Sequence, residues 1–183
     1  MRDDLNQSLN RSHIDPSALS TFQRILLTTD GTVTDMLEAY FFEQIKLVKL
    51  SEQSVSLGQN IPQMDLQQGT EVIERKILLQ GKISHRNYIY AESFLVLDRL
   101  DEQFRSELIK TKTPIGKIWL EQKVETFKEI INTGKEPANG LSGYFNIEAA
   151  ENLLFRTYCV RSHGNPTMMI TEKFPESYFV KDV

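Results

Sequence analysis

Three charged residues fall where an exposed side chain is not expected. Side chains alternate between the two faces of a strand, so residues of one parity share a face. In the β-rich run 71–80, Arg75 has the parity of Ile73, Ile77 and Leu79, whereas Glu74, Lys76 and Gln80 form an ordinary polar face. In 167–174, Glu172 interrupts Met168, Ile170 and Phe174. In 87–97, Glu92 shares its parity with Tyr88, Tyr90, Phe94 and Val96. A charge turned into an apolar layer is costly unless it is paired or meets a ligand. Two readings follow. One is structural: a buried ion pair, for instance Arg75 with Glu92, or an edge strand whose face is wet. The other is a polar constellation that reads a ligand. An enclosed guanidinium suits a planar carboxylate, because its fork reaches both oxygens. A carboxylate in an apolar pocket can hold a proton or accept from a hydroxyl. Together they describe a small anionic ligand that carries a hydroxyl.

These charges sit on elements that the pattern marks with varying clarity. Residues 71–80 and 87–97 read as a hairpin, and 155–162 with 167–174 as a second one across His163-Gly164-Asn165-Pro166. Residues 45–55 alternate as a strand, and 56–70 read as a loop. Helical spacing is seen over 17–27, after the Asp30-Gly31 turn with Thr32 or Thr34 as cap, and around Leu100, Phe104, Leu108 and Ile109. Thr113-Pro114 looks like a cap with proline at the first helical position. Val124, Phe127, Ile130 and Ile131 then predict a helix that stops at Gly134, 135–143 a loop, and Asn146 the cap of a further short helix. Residues 1–16 read as a mobile polar tail, leaving one domain over 17–183. Strands and helices do not alternate strictly, which favours an α+β fold, a mainly antiparallel sheet with helices flanking and covering a buried pocket.

Common chemical motifs fail. The glycine that a phosphate-binding loop needs before Gly116-Lys117 is Thr111, and no G-x-G-x-x-G is present. His13, His85 and His163 are isolated from other ligands, so no metal is expected. Cys159 lies on an expected strand, where packing is the ordinary role, with a nucleophilic one left open. The chain of 183 residues, with 21 basic against 25 acidic groups and a net charge of −4, has no basic footprint for nucleic acid. One cysteine, a polar N-terminus and the lack of a long apolar run point to a cytoplasmic protein with no membrane span.

The segments Arg75-Lys-Ile-Leu-Leu, Tyr-Ile-Tyr-Ala-Glu92-Ser, Lys112-Thr-Pro-Ile-Gly-Lys117 and Ile170-Thr-Glu-Lys-Phe-Pro175 resemble, in order and spacing, the chorismate pyruvate-lyase family. The likeness runs from about Leu26 to Phe179 and is nearest to the branch found in cyanobacteria, actinobacteria and archaea. It implies a cofactor-independent carbon–oxygen lyase that removes pyruvate from chorismate and leaves 4-hydroxybenzoate, a precursor for quinones or phenolic lipids. It further implies that Arg75 binds the ring carboxylate, together with the backbone amide of Ile115. Glu172 would meet the hydroxyl at the other end of the ring, and Val33 would line the pocket. Relatives in the ubiquinone pathway carry arginine where this chain has Glu92, so Glu92 is expected either to alter the anionic substrate accepted or to orient Arg75. The effector domains of certain bacterial transcription regulators resemble the same fold and sense small molecules without catalysis. Those domains usually follow a DNA-binding winged helix, and the 16 polar residues before Ser17 are too few to form one, so an enzyme is the expectation.

Overall fold

The two expected hairpins are both present and are joined side by side. A computed structural model of the chain describes residues 14–110, 118, 121 and 125–180. Its sheet has six antiparallel strands: β1 (Ile45–Ser56), β2 (Glu71–Gly81), β3 (Asn87–Leu95), β4 (Phe127–Pro137), β5 (Asn152–Ser162) and β6 (Asn165–Pro175). Their order is β1-β2-β3-β6-β5-β4, so two three-stranded meanders meet at the β3–β6 pair. Four α-helices are described: α1 (Thr21–Thr28), α2 (Val33–Phe41), α3 (Glu102–Lys110) and α4 (Ser142–Phe145). This is the α+β architecture expected from the two hairpins. No described helix is long and apolar enough to cross a membrane.

Local chemistry sets the element ends. Ser20 caps α1 through a reciprocal pair with Gln23, and the buried Gln23 amide donates to the carbonyls of Glu176 and Tyr178. Helix α1 is thereby tied to the C-terminal segment. Ile14, placed in the tail by the sequence reading, is 6% exposed within the main core, and Asp15 accepts from the Ser17 amide. Leu26, Leu27 and Leu37 join Leu78, Leu79, Ile89 and Phe174 in that core.

From Phe127 onward the helix expected up to Gly134 is instead strand β4, Val124 lying outside the described residues. Ile130 and Ile131 imitate helical spacing, but the register with β5 shifts between Ile130 and Asn132. Such a shift marks a β-bulge, which breaks the two-residue period. The two isoleucines therefore pack into different clusters, Ile130 beside Tyr158 and Val160, Ile131 beside Cys159 and Met64. Gly134 does not end a helix; it lies opposite Phe155, whose ring occupies the place where a Cβ would stand. The expected loop over 135–143 is correspondingly the end of β4 followed by helical turns, and Asn146 closes α4 at its C-terminal end, in the left-handed region, rather than opening it. The Thr113-Pro114 cap lies outside the described residues.

Candidate functional site

One face of the sheet carries the polar constellation. Strand register aligns Arg75, Ser93, Ile170 and Tyr158 in one cross-strand row, and Ile77, Ala91, Glu172 and Arg156 in the next. All of these except Arg156 line a cavity of about 70 Å³ that is also lined by Lys128 of β4 and by Thr32, Val33 and Thr34 at the start of α2. Strands from both meanders and one helix N-terminus thus enclose a single space. Arg75 and Glu172, each singled out on its own strand by parity, are brought to the same wall by the strand register.

Arg75 is 1% exposed. Its only carboxylate neighbour among the described residues is Glu52, directly opposite on β1, at 3.4 Å from Nε, and Glu52 is also held at 2.8 Å by Lys49 Nζ. None of the Arg75 Nε, Nη1 and Nη2 atoms has a hydrogen-bond partner. Burial pulls the guanidinium below its usual range, with Glu52 working in the other direction. Buried donors are almost always satisfied, and a guanidinium fork of this kind has the geometry that a planar carboxylate fits.

Glu172, 8% exposed, is by contrast partnered on both oxygens. Arg156 Nε donates to its Oε2 at 2.8 Å and the Tyr158 hydroxyl to its Oε1 at 2.9 Å. Arg156 is its cross-strand partner and is itself 1% exposed. Desolvation and the Glu172 charge push the Tyr158 phenol well above its usual range, so it remains a donor. For Arg156, burial opposes the charge but Glu172 outweighs it, and the guanidinium is held above its usual range. Lys128 Nζ lies 3.2 Å from the Gly31 carbonyl and 5.8 Å from the Tyr158 ring. Burial pulls this ammonium below the usual lysine range, while Glu172 raises it and Arg156 lowers it further.

Val33 lines the cavity and is 5% exposed. Ile115 lies outside the described residues. Glu92 does not accompany Arg75. Arg75 pairs with Ser93 and Lys76 with Glu92, which puts Glu92 on the opposite face of the sheet. There it lies 3.4 Å from Lys173 Nζ beside Tyr90, and its side chain is 39% exposed. Neither an Arg75–Glu92 pair nor an orienting role for Glu92 exists; parity groups residues on a strand but does not say which side of the sheet each group faces. The sulfur of Cys159 packs 3.6 Å from that of Met64, and burial pushes its thiol up, away from the reactive thiolate.

Four members of the site were not found in the sequence. Arg156 has the parity of Leu154, Tyr158 and Val160, so the test that found Arg75 applies to it equally. Lys128 was hidden inside the mistaken helix, Tyr158 reads as an ordinary strand aromatic, and Glu52 lies in a polar edge strand without contrast.

Residues 27–180 match the family described as Chorismate pyruvate-lyase Rv2949c-like. A protein of Mycobacterium leprae named chorismate pyruvate-lyase is 31% identical over 176 residues, covering 95% of this chain and 82% of that protein. One of the same name from Mycobacterium tuberculosis is 28% identical over 163 residues, covering 85% of this chain and 80% of its own length. Among solved structures, the effector domain of PhnF from Mycobacterium smegmatis superposes with a TM-score of 0.62 at 8% identity, over 84% of this chain and 93% of that one. The C-terminal domain of a histidine utilization repressor from Pseudomonas syringae gives 0.55 at 12% identity, over 76% of this chain and 97% of the other. These two likenesses concern the fold alone.

Proposed function

The chain belongs to the Rv2949c-like chorismate pyruvate-lyase family, and from that premise we propose that it cleaves chorismate to pyruvate and 4-hydroxybenzoate. The observation that carries the reading is the Arg75 fork, buried without hydrogen-bond partners in the wall of a cavity that also contains Glu172. Chorismate has a ring carboxylate, a hydroxyl-bearing carbon at the opposite end of the ring and, on the carbon next to that one, an enolpyruvyl ether. Breaking the ring C–O bond of that ether releases enolpyruvate, and loss of the hydrogen on the hydroxyl-bearing carbon makes the ring aromatic. The enolpyruvate takes up a proton to become pyruvate, so atoms and charge balance without an oxidant or a second substrate. The thermodynamic pull comes from aromatisation, and what the protein has to add is placement and proton handling.

In this reading Arg75 clamps the ring carboxylate through both Nη atoms, and Ile115, outside the described residues, offers its amide to the same group. Glu172, fixed through both oxygens by Arg156 and Tyr158, accepts from the ring hydroxyl and sits beside the carbon that loses its hydrogen. Val33 covers the apolar ring. Glu92 faces away from the cavity, so its charge leaves the ligand space untouched. The product would enter quinone or phenolic-lipid synthesis. A binding module of the same fold would hold the aromatic acid but release no pyruvate, so pyruvate release separates the two readings. The site itself is tested by titrating 4-hydroxybenzoate calorimetrically into Arg75→Ala. Loss of two charge-assisted hydrogen bonds should weaken binding about 100-fold. Unchanged affinity would remove Arg75 from the site.

A further inference from the structure

A second set of donors borders the cavity besides Arg75. Thr32, Val33 and Thr34 line it at the start of the nine-residue helix α2, and Thr32 makes no side-chain cap hydrogen bond to that helix. The amides of the first turn are therefore without a side-chain acceptor from their cap, and the positive end of the helix dipole lies at the same place. Asp35, the one acidic residue in that turn, is exposed. Two cations converge on the segment just before the helix: Lys128 Nζ on the Gly31 carbonyl at 3.2 Å, and Arg156 Nη1 on the carbonyl of Thr29. Arg156 Nη2, in a side chain 1% exposed, has no hydrogen-bond partner. Asp30 acts on both cations but is exposed in the turn. Among the described residues that line the cavity, two cations, Arg75 and Lys128, stand beside one carboxylate, Glu172.

Two cations and an uncapped helix start match a ligand with two negative groups. Arg75 alone suffices for a monocarboxylate such as 4-hydroxybenzoate. We propose that Lys128 and the first turn of α2 form a second carboxylate subsite, which holds the enolpyruvyl carboxylate of the substrate while Arg75 holds the ring carboxylate. This rests on the chorismate reading and extends it: the subsite distinguishes substrate from aromatic product, because the group it holds departs with pyruvate. Arg156 contributes from behind, through Thr29 and Glu172.

The test uses two inert probes with the full chain: 4-hydroxybenzoate, with one carboxylate, and 3-(1-carboxyvinyloxy)benzoate, with two and no capacity to eliminate. Calorimetry on Lys128→Met should show diacid affinity reduced by about tenfold or more, the size of one lost charge-assisted hydrogen bond. Affinity for 4-hydroxybenzoate should stay within about twofold, which also reports that the variant is folded, and Lys128→Arg should restore most diacid binding. Unchanged diacid affinity in Lys128→Met, or an equal loss for both probes, would overturn the subsite. Because the diacid is not turned over, this result is independent of catalysis. An unsubstituted protein that binds the diacid but releases no pyruvate from chorismate would reject the lyase reading and leave the subsite standing.

Discussion

At the scale of single residues, Arg75 and Glu172 present opposite states of a buried charge. Glu172 has one buried donor on each of its oxygens, whereas the three Arg75 nitrogens have no hydrogen-bond partner. A buried charge left without hydrogen bonds destabilises the fold that contains it. Replacement of Arg75 by methionine should therefore leave the ligand-free protein no less stable, with a gain on the order of 1 kcal/mol in chemical denaturation, while abolishing aromatic-acid binding. A marked loss of stability would mean that Arg75 is a structural ion pair with Glu52. Glu172 has the complementary signature. Glu172→Gln keeps the shape but changes the group offered to the ring hydroxyl, so kcat should fall by about 100-fold or more, with a much smaller effect on 4-hydroxybenzoate binding. Steady-state kinetics beside product calorimetry would show it, and full turnover would exclude Glu172 from the chemistry.

At the scale of elements, the wall of the site depends on strand register, and register depends on turns. The turn between β2 and β3 is held from outside the hairpin by Glu43, whose carboxylate accepts from the Ser84 hydroxyl and amide, the Ile83 amide and the Tyr88 hydroxyl. Those bonds, the Ser84 hydroxyl first, bring the Glu43 carboxyl from an ordinary 4.5 down to about 2. A depressed carboxyl stabilises the fold above its unfolded value and loses that contribution as pH falls through the folded one. The stability difference between wild type and Glu43→Gln should be complete above pH 4.5 and vanish as pH approaches 2, which denaturant titrations across that range would reveal. A pH-independent difference would show that the carboxylate charge has no part in holding the turn.

Legibility also divides by element. Strands β2, β3 and β6 could be read because their alternation is regular, and with them came Arg75 and Glu172. Strand β4 could not, because its bulge at Ile130 and Ile131 replaces the period of two by an apolar doublet that looks helical. Gly134 strengthened the error, since its true reason is the ring of Phe155, a residue 21 positions later that no local pattern connects to it. Lys128 was lost with β4. Glu92 was misplaced for a different reason: facing is a property of the assembled sheet, not of a strand alone.

At the scale of the molecule, the cavity sits where the two meanders meet. Arg75 and Ser93 come from the first, Glu172, Tyr158 and Lys128 from the second, and α2 closes over both. A ligand that joins the Arg75 carboxylate site to Glu172 therefore bridges the halves of the sheet. The same fold occurs in effector domains of transcription regulators, so the architecture provides an enclosed space and the side chains decide what happens in it. In this chain the described cavity lining brings together the Arg75 fork, a fixed Glu172 and a second cation, Lys128. The most direct test of that account is incubation of the purified protein with chorismate, with pyruvate and 4-hydroxybenzoate measured in the same samples. The two products should rise together in equal amounts, well above the spontaneous rate, and both should fall to that rate in Arg75→Ala. Product formation by the unsubstituted protein no faster than the spontaneous background would contradict the account.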